Sequence, residues 1–120
     1  MVIFDTNMIL RYILNDDRKM ADKAEAYINS DDVFVTLEVI AEVVYVLNGV
    51  YQMNRAKIAE AIILFLGLVD CREKAVLRFA LDAYTNHNLD FVDCVLYAYN
   101  KINRIEIATF DKKLLRLLAN

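Results

Sequence analysis

The 120-residue sequence has no proline, no tryptophan, two glycines, two cysteines and one histidine. Two cysteines are too few for a disulfide framework, so we expect a reducing cytoplasmic location. A structural zinc site needs more cysteine and histidine than is present. A Ser-His-Asp triad would have to use the only serine, Ser30, which lies in a polar loop segment, together with the only histidine, His87. The chain also lacks the glycine-rich loops that bind nucleotides.

Long apolar runs are absent as well. The longest, at residues 61–69, is far shorter than the roughly 20 residues that cross a bilayer, so we expect no membrane segment. Hydrophobic residues nevertheless make up 58% of the chain. This surplus predicts apolar surface that is covered by a partner protein or by a second copy of the chain.

Short apolar segments alternate with helical patterns along the whole sequence. Strands are expected at residues 1–4, 33–35, 68–69 and 105–109. Helices are expected at residues 8–14, 18–28, 37–47, 54–66, 73–85, 91–102 and 112–119. The alternation predicts one α/β domain over residues 1–120, rich in helix, with a mostly parallel sheet.

Four carboxylates stand next to apolar segments. Asp5 and Asp111 follow the first and last predicted strands, whereas Glu42 and Asp93 lie inside apolar helical segments. An isolated charge in such surroundings costs several kcal/mol, so each carboxylate needs a partner. Because parallel strands bring their carboxyl ends to one edge of a sheet, we expect the four to meet there. The alternative for Asp5 and Asp111 is that each caps the helix that follows it.

Repulsion within such a group predicts a bound cation. Two carboxylates about 5 Å apart repel by about 3 kcal/mol at an effective dielectric near 20, and four would cost on the order of ten kcal/mol. Oxygen ligands without nitrogen or sulfur favour Mg²⁺, for which Mn²⁺ can substitute. The sequence therefore predicts a metal site.

The motifs around these acids also resemble a known family. They are Val-Ile-Phe-Asp-Thr-Asn at residues 2–7, Ala-Glu-Val-Val at 41–44, Asp-Phe-Val-Asp at 90–93 and Ala-Thr-Phe-Asp at 108–111. In this order they resemble PIN-domain ribonucleases, specifically the toxin subunit of VapBC-type toxin–antitoxin pairs. The resemblance implies a three-layer α/β/α fold whose sheet has four or five strands. Whether a fifth strand completes the sheet is left open. It also implies that four acids are both catalytic and metal-binding: Asp5, Glu42, Asp93 and Asp111.

The resemblance suggests supporting roles for further residues. Asn7 and Thr109 would hydrogen-bond the first and last carboxylates. Asp90, three residues before Asp93 on one helical face, would be an accessory acid or a helix cap. Glu38 shares a face with Glu42, which leaves open which of the two reaches the metal, although the motif favours Glu42. Four cations flank the expected site and are candidates for RNA phosphate contacts or solvated helix faces: Arg11, Lys112, Lys113 and Arg116.

The activity implied is a Mg²⁺-dependent endoribonuclease, the toxin of a type II toxin–antitoxin system. Metal-activated water, rather than the ribose hydroxyl, would attack the RNA phosphodiester. The implied partners are RNA, a cognate antitoxin and a second copy in a homodimer. Two alternatives stay open: a catalytically inactive PIN-like interaction module, and an aspartate-dependent phosphatase with Asp5 as nucleophile. The phosphatase is less favoured because such enzymes commonly carry a second aspartate two residues on, where this chain has Asn7.

Overall fold

Helices dominate the structure, a computed structural model that describes residues 1–120. In chain order the elements are β1 (Val2–Ile3), α1 (Thr6–Leu14), α2 (Arg18–Ser30), β2 (Val33–Phe34), α3 (Leu37–Gly49), α4 (Arg55–Leu66), α5 (Lys74–Asn86), α6 (Phe91–Asn103) and α7 (Lys112–Leu118). The chain forms two units, Met1–Lys74 and Ala75–Asn120. The expectation of a single domain over residues 1–120 stays a prediction.

All seven expected helices are present, with ends close to the predicted ones. Local caps explain this agreement, because a side-chain oxygen before a helix accepts one of its unpaired N–H groups. Thr36 Oγ1 accepts from the Val39 N–H at 3.2 Å at the start of α3, and Asn54 Oδ1 accepts from the Lys57 N–H at 2.9 Å at the start of α4. No helix combines the length and apolar character that a membrane crossing needs.

The sheet of the first unit is parallel, as predicted. Val2 pairs with Val33 and Ile3 pairs with Phe34. The ladder continues beyond the strands, since the Phe4 N–H donates to the Phe34 carbonyl at 3.1 Å. Both strands therefore end at the same edge, and α1 and α3 begin immediately after it.

The predicted number of strands is wrong. The sheet has two strands, not four or five. Residues 68–69 form no strand, and the next residue, Asp70, makes a single parallel bridge with Phe34. Residues 105–109 form no strand. Apolar composition alone does not make a strand, because the backbone also needs a neighbour to satisfy its polar groups. Here the Asn100 side-chain amide donates to the Ile105 carbonyl at 3.0 Å, and Ile105 is 49% exposed. The three-layer arrangement stays a prediction.

The second unit consists of α5, α6 and α7. The rings of Tyr84 on α5 and Phe91 on α6 pack edge to face with centroids 5.8 Å apart. Leu114 anchors α7 and is fully buried. The connection between α5 and α6 lies near the start of α7, and three acidic residues of this unit lie there.

Candidate active site

Asp5 lies at the carboxyl edge of the two-stranded sheet. It is exposed, and its Oδ1 accepts a hydrogen bond from the Met8 N–H at 2.9 Å, which caps α1. The capping role that the sequence left open for Asp5 is therefore present. The cap uses Oδ1, so it does not require the second carboxylate oxygen.

Glu42 and Glu38 lie on α3, which begins at the same edge of the sheet. Both side chains are exposed, whereas Val43 and Val44 next to Glu42 are buried. The expectation that Glu42 sits in apolar surroundings is wrong, because neighbouring residues of a helix point in different directions. No charged or polar residue of the structure is fully buried. The desolvation argument therefore fails for the exposed carboxylates.

Three further acids of the second unit line one pocket of about 380 Å³. Asp90 and Asp93 are one turn apart at the start of α6, and Asp111 precedes α7. Asp111 Oδ1 accepts from the Leu114 N–H at 2.8 Å and so caps α7. Asp90 was expected to be either an accessory acid or a helix cap. Its side chain makes no cap hydrogen bond to α6, so the structure does not show the capping role.

Asp93 is the half-buried member of this group. Its pKa is raised above the ordinary value for a carboxyl, first by burial, then by the negative charge of Asp111 and then by that of Asp90. All three causes act against the ionised form of Asp93. A cation bound between these carboxylates would reverse that effect, because it favours their charged forms.

Cations line the same pocket without neutralising the acids. Lys112, Lys113 and Arg116 of α7 all contribute to its wall. The ion pairs of the structure join other residues: the amino terminus with Asp31, Arg11 with Asp16, and Arg18 with Asp22. A pocket that presents both signs of charge, unpaired with each other, suits a ligand that brings a cation and an anion together.

The structure shows a contact for one of the two residues expected to support the end carboxylates. Thr109 Oγ1 accepts from the backbone N–H of Asp111 at 3.0 Å, so it fixes the backbone at Asp111 rather than its carboxylate. Asn7 is an exposed residue in the first turn of α1, two residues after Asp5. The role expected for Asn7 stays a prediction.

A comparison with protein families decides the classification. A family model described as the PIN domain matches residues 2–119, nearly the whole chain. The chain belongs to the PIN domain family. PIN domains are generally nucleases that use divalent metal ions. A search of curated proteins gave no match, and a search of solved structures gave none either.

The oxygen donors of this PIN domain fit a hard divalent cation. No group of three or more His, Cys, Asp or Glu side chains is arranged to hold a metal ion by itself. Mg²⁺ does not require such a cage, since it usually keeps several waters and binds through one or two carboxylates and substrate phosphates. Asp93 and Asp111, which interact electrostatically across the pocket, supply that smaller set.

Sequence reasoning missed part of the pocket wall. The connection between α5 and α6 contributes Asn88 and Leu89, which no sequence motif marks. Lys113 and Arg116 were recognised only as two of several flanking cations. Their spacing of three residues on a predicted helix was the available signal that they share a face.

Arg11, expected to contact RNA phosphate, has protein partners instead. Its Nη1 donates to both carboxylate oxygens of Asp16, at 2.9 and 2.8 Å, and its Nη2 donates to the Tyr51 hydroxyl at 2.9 Å. The side chain is 16% exposed. These contacts favour a structural role, in which Arg11 ties α1 to the segment that follows α3.

Arg11→Gln is expected to lower the free energy of unfolding by about 1–2 kcal/mol, because three charge-assisted hydrogen bonds are lost. Urea denaturation measures this change. Arg18→Gln is the matched control, since its pair with Asp22 is 80% and 59% exposed and such pairs contribute less than about 1 kcal/mol. A rise in KM for RNA with unchanged stability of Arg11→Gln would instead support a phosphate contact.

Proposed function

We propose that this PIN domain is a Mg²⁺-dependent endoribonuclease and the toxin of a type II toxin–antitoxin pair. The observation that carries the nuclease proposal is the pocket of the second unit. There, three carboxylates and three cationic side chains face one cavity, and none of them forms an ion pair with another. A divalent cation and a phosphodiester together match both sets of charges.

Asp93 and Asp111 are the proposed holders of the metal, with Asp90 as an accessory acid. The bonds from the Leu114 N–H to Asp111 Oδ1 and from the Asp111 N–H to Thr109 Oγ1 keep Asp111 in place. Mg²⁺, when bound, neutralises the carboxylates and acts as a Lewis acid toward the phosphate. Lys112 is a proposed contact of the phosphate oxygens.

Asp5 and Glu42 of the first unit are also proposed as catalytic, metal-binding acids. Support for them comes from the motifs at residues 2–7 and 41–44 and from their position, since α1 and α3 start at one edge of the sheet. Glu38 is the alternative to Glu42, because both are exposed on α3.

The proposed nucleophile is water rather than the ribose 2′-hydroxyl. Attack by the 2′-hydroxyl without a metal commonly uses two acid–base groups, often histidines, and this chain has one histidine. Hydrolysis assisted by a divalent ion needs no such pair. The products are expected to carry a phosphate on one side of the cut and a hydroxyl on the other, with no cyclic phosphate.

The test uses single-stranded RNA and a matched strand with one 2′-deoxy residue at the scissile position. We expect the protein to cut both in Mg²⁺ or Mn²⁺ and neither in EDTA, as resolved by gel electrophoresis. Complete resistance of the deoxy strand would overturn the water mechanism. Equal cleavage in EDTA would overturn metal dependence, and failure to cut any RNA would favour the inactive module.

The proposed protein partners are a second copy of the chain and an antitoxin. Large apolar side chains are exposed on α3, at its end and on α4. Tyr45 is 78% exposed, Val50 70% and Leu64 68%. Covering such side chains is a common reason for association, which supports both partners.

A further inference from the structure

A second pocket adjoins the acidic pocket of the second unit. It has a volume of about 320 Å³ and is lined by His87, Asn88, Leu89, Lys113, Arg116 and Leu117. Four of these residues also line the acidic pocket: Asn88, Leu89, Lys113 and Arg116. The two pockets therefore form one groove, with the carboxylates confined to one end.

Lys113 and Arg116 dominate the charge of the shared part of this groove. They are one turn apart on α7, so they share a face of the helix. Both side chains are exposed and neither takes part in an ion pair. Leu114 between them is fully buried and fixes this short helix, which holds the two cations over the groove.

The end of the groove away from the acids is less polar. Leu117 contributes an apolar wall there. The His87 ring, which packs edge to face on Tyr97 with centroids 6.3 Å apart, contributes a flat one. Proteins commonly bind a nucleotide of a single strand with a flat or apolar surface beside a cation. The base stacks on the surface, and the cation binds the phosphate.

We infer that Lys113 and Arg116 form a subsite for the phosphate of the nucleotide that flanks the scissile bond in single-stranded RNA. This inference rests on the proposed function, which places the scissile phosphate at the acidic end. The two cations are positioning residues: they set where the strand lies along the groove and do not touch the reacting atoms.

The first test compares a dinucleotide, which has only the scissile phosphate, with a tetranucleotide of the same central sequence. Wild-type protein is expected to prefer the tetranucleotide. Lys113→Gln with Arg116→Gln is expected to raise KM for the tetranucleotide about tenfold, with kcat nearly retained, and so to remove most of that preference. The matched control is Lys23→Gln with Arg78→Gln, two exposed helical cations outside the groove, which should keep the wild-type preference.

The second test needs no catalysis. Binding of a fluorescent single-stranded pentanucleotide is measured in EDTA between about 50 and 200 mM salt. The logarithm of affinity falls with the logarithm of salt by about 0.7 per phosphate neutralised, so loss of this one phosphate contact should make the slope of the variant shallower by about 0.7. Circular dichroism melting shows that the variant is folded.

The outcomes separate this inference from the proposed function. Wild-type cleavage of both substrates, with the same length preference and salt slope in the variant, overturns the subsite and leaves the nuclease intact. A wild-type protein that cuts neither substrate overturns both. Loss of length preference together with the shallower slope supports the subsite.

Discussion

Asp93→Asn is expected to reduce kcat/KM for RNA cleavage by at least about a thousandfold, the scale on which removal of one key electrostatic group acts. Asp93 is the one acid of the group that is both half-buried and electrostatically linked to its neighbours. Its amide replacement keeps the shape of the side chain and removes the charge that would hold the cation. Steady-state cleavage of a labelled RNA in Mg²⁺ measures the loss.

The same substitution is expected to leave the metal-free protein at least as stable at neutral pH. Because the pKa of Asp93 is raised on folding, its ionised form opposes the folded state. That unfavourable effect is present above the raised pKa and vanishes below the ordinary carboxyl value of about 3.9. In EDTA, wild type and Asp93→Asn should therefore have similar Tm values near pH 3, with the variant equal or higher at pH 7.

Added Mn²⁺ should reverse this order, since a ligand that binds only the folded state raises Tm. Wild type is expected to gain several degrees at saturating Mn²⁺ and Asp93→Asn much less. The control is Asp82→Asn, an exposed acid of α5 outside the pocket, which should behave as wild type. Undiminished cleavage by Asp93→Asn would refute its role.

Wild type and Asp93→Asn together also test the toxin proposal, because only wild type should arrest growth when expressed.

The sequence predicted the helices well because their signals are local. Thr36 and Asn54 cap α3 and α4 with their own side chains, and no distant residue is needed to recognise them. Strands depend on partners elsewhere in the chain. Residues 105–109 have the composition of a strand, but their backbone does not join the sheet. The composition of the segment carries no information about the missing neighbour.

The acids of the site could be identified from the sequence, but their surroundings could not. Glu42 is exposed although Val43 and Val44 are buried, since burial in a helix follows direction rather than adjacency in the chain. Arg11 shows the same limit at longer range. One of its partners, Tyr51, is 40 residues away, so no local pattern predicted that contact.

Substitutions of Asp5 can distinguish a structural role from a catalytic one. Capping of α1 by itself would explain an aspartate at this position. Asparagine caps about as well as aspartate, whereas alanine costs about 1 kcal/mol. Asp5→Asn is therefore expected to keep the free energy of unfolding within about 0.5 kcal/mol of wild type, and Asp5→Ala to lower it by about 1 kcal/mol. Both should lose at least about a hundredfold in kcat/KM, because each removes the proposed metal-binding carboxylate.

Asp17 is the matched control, since it caps α2 in the same way, with its side chain accepting from the Met20 N–H at 3.1 Å. Asp17→Ala should lose the same stability in urea denaturation and keep wild-type cleavage. If Asp5 were only a cap, Asp5→Asn would cut RNA like wild type, and Asp5→Ala would resemble Asp17→Ala. Loss of cleavage by Asp5→Asn at unchanged stability would instead show that this carboxylate does more than begin a helix, because the hydrogen bond survives the substitution and the charge does not.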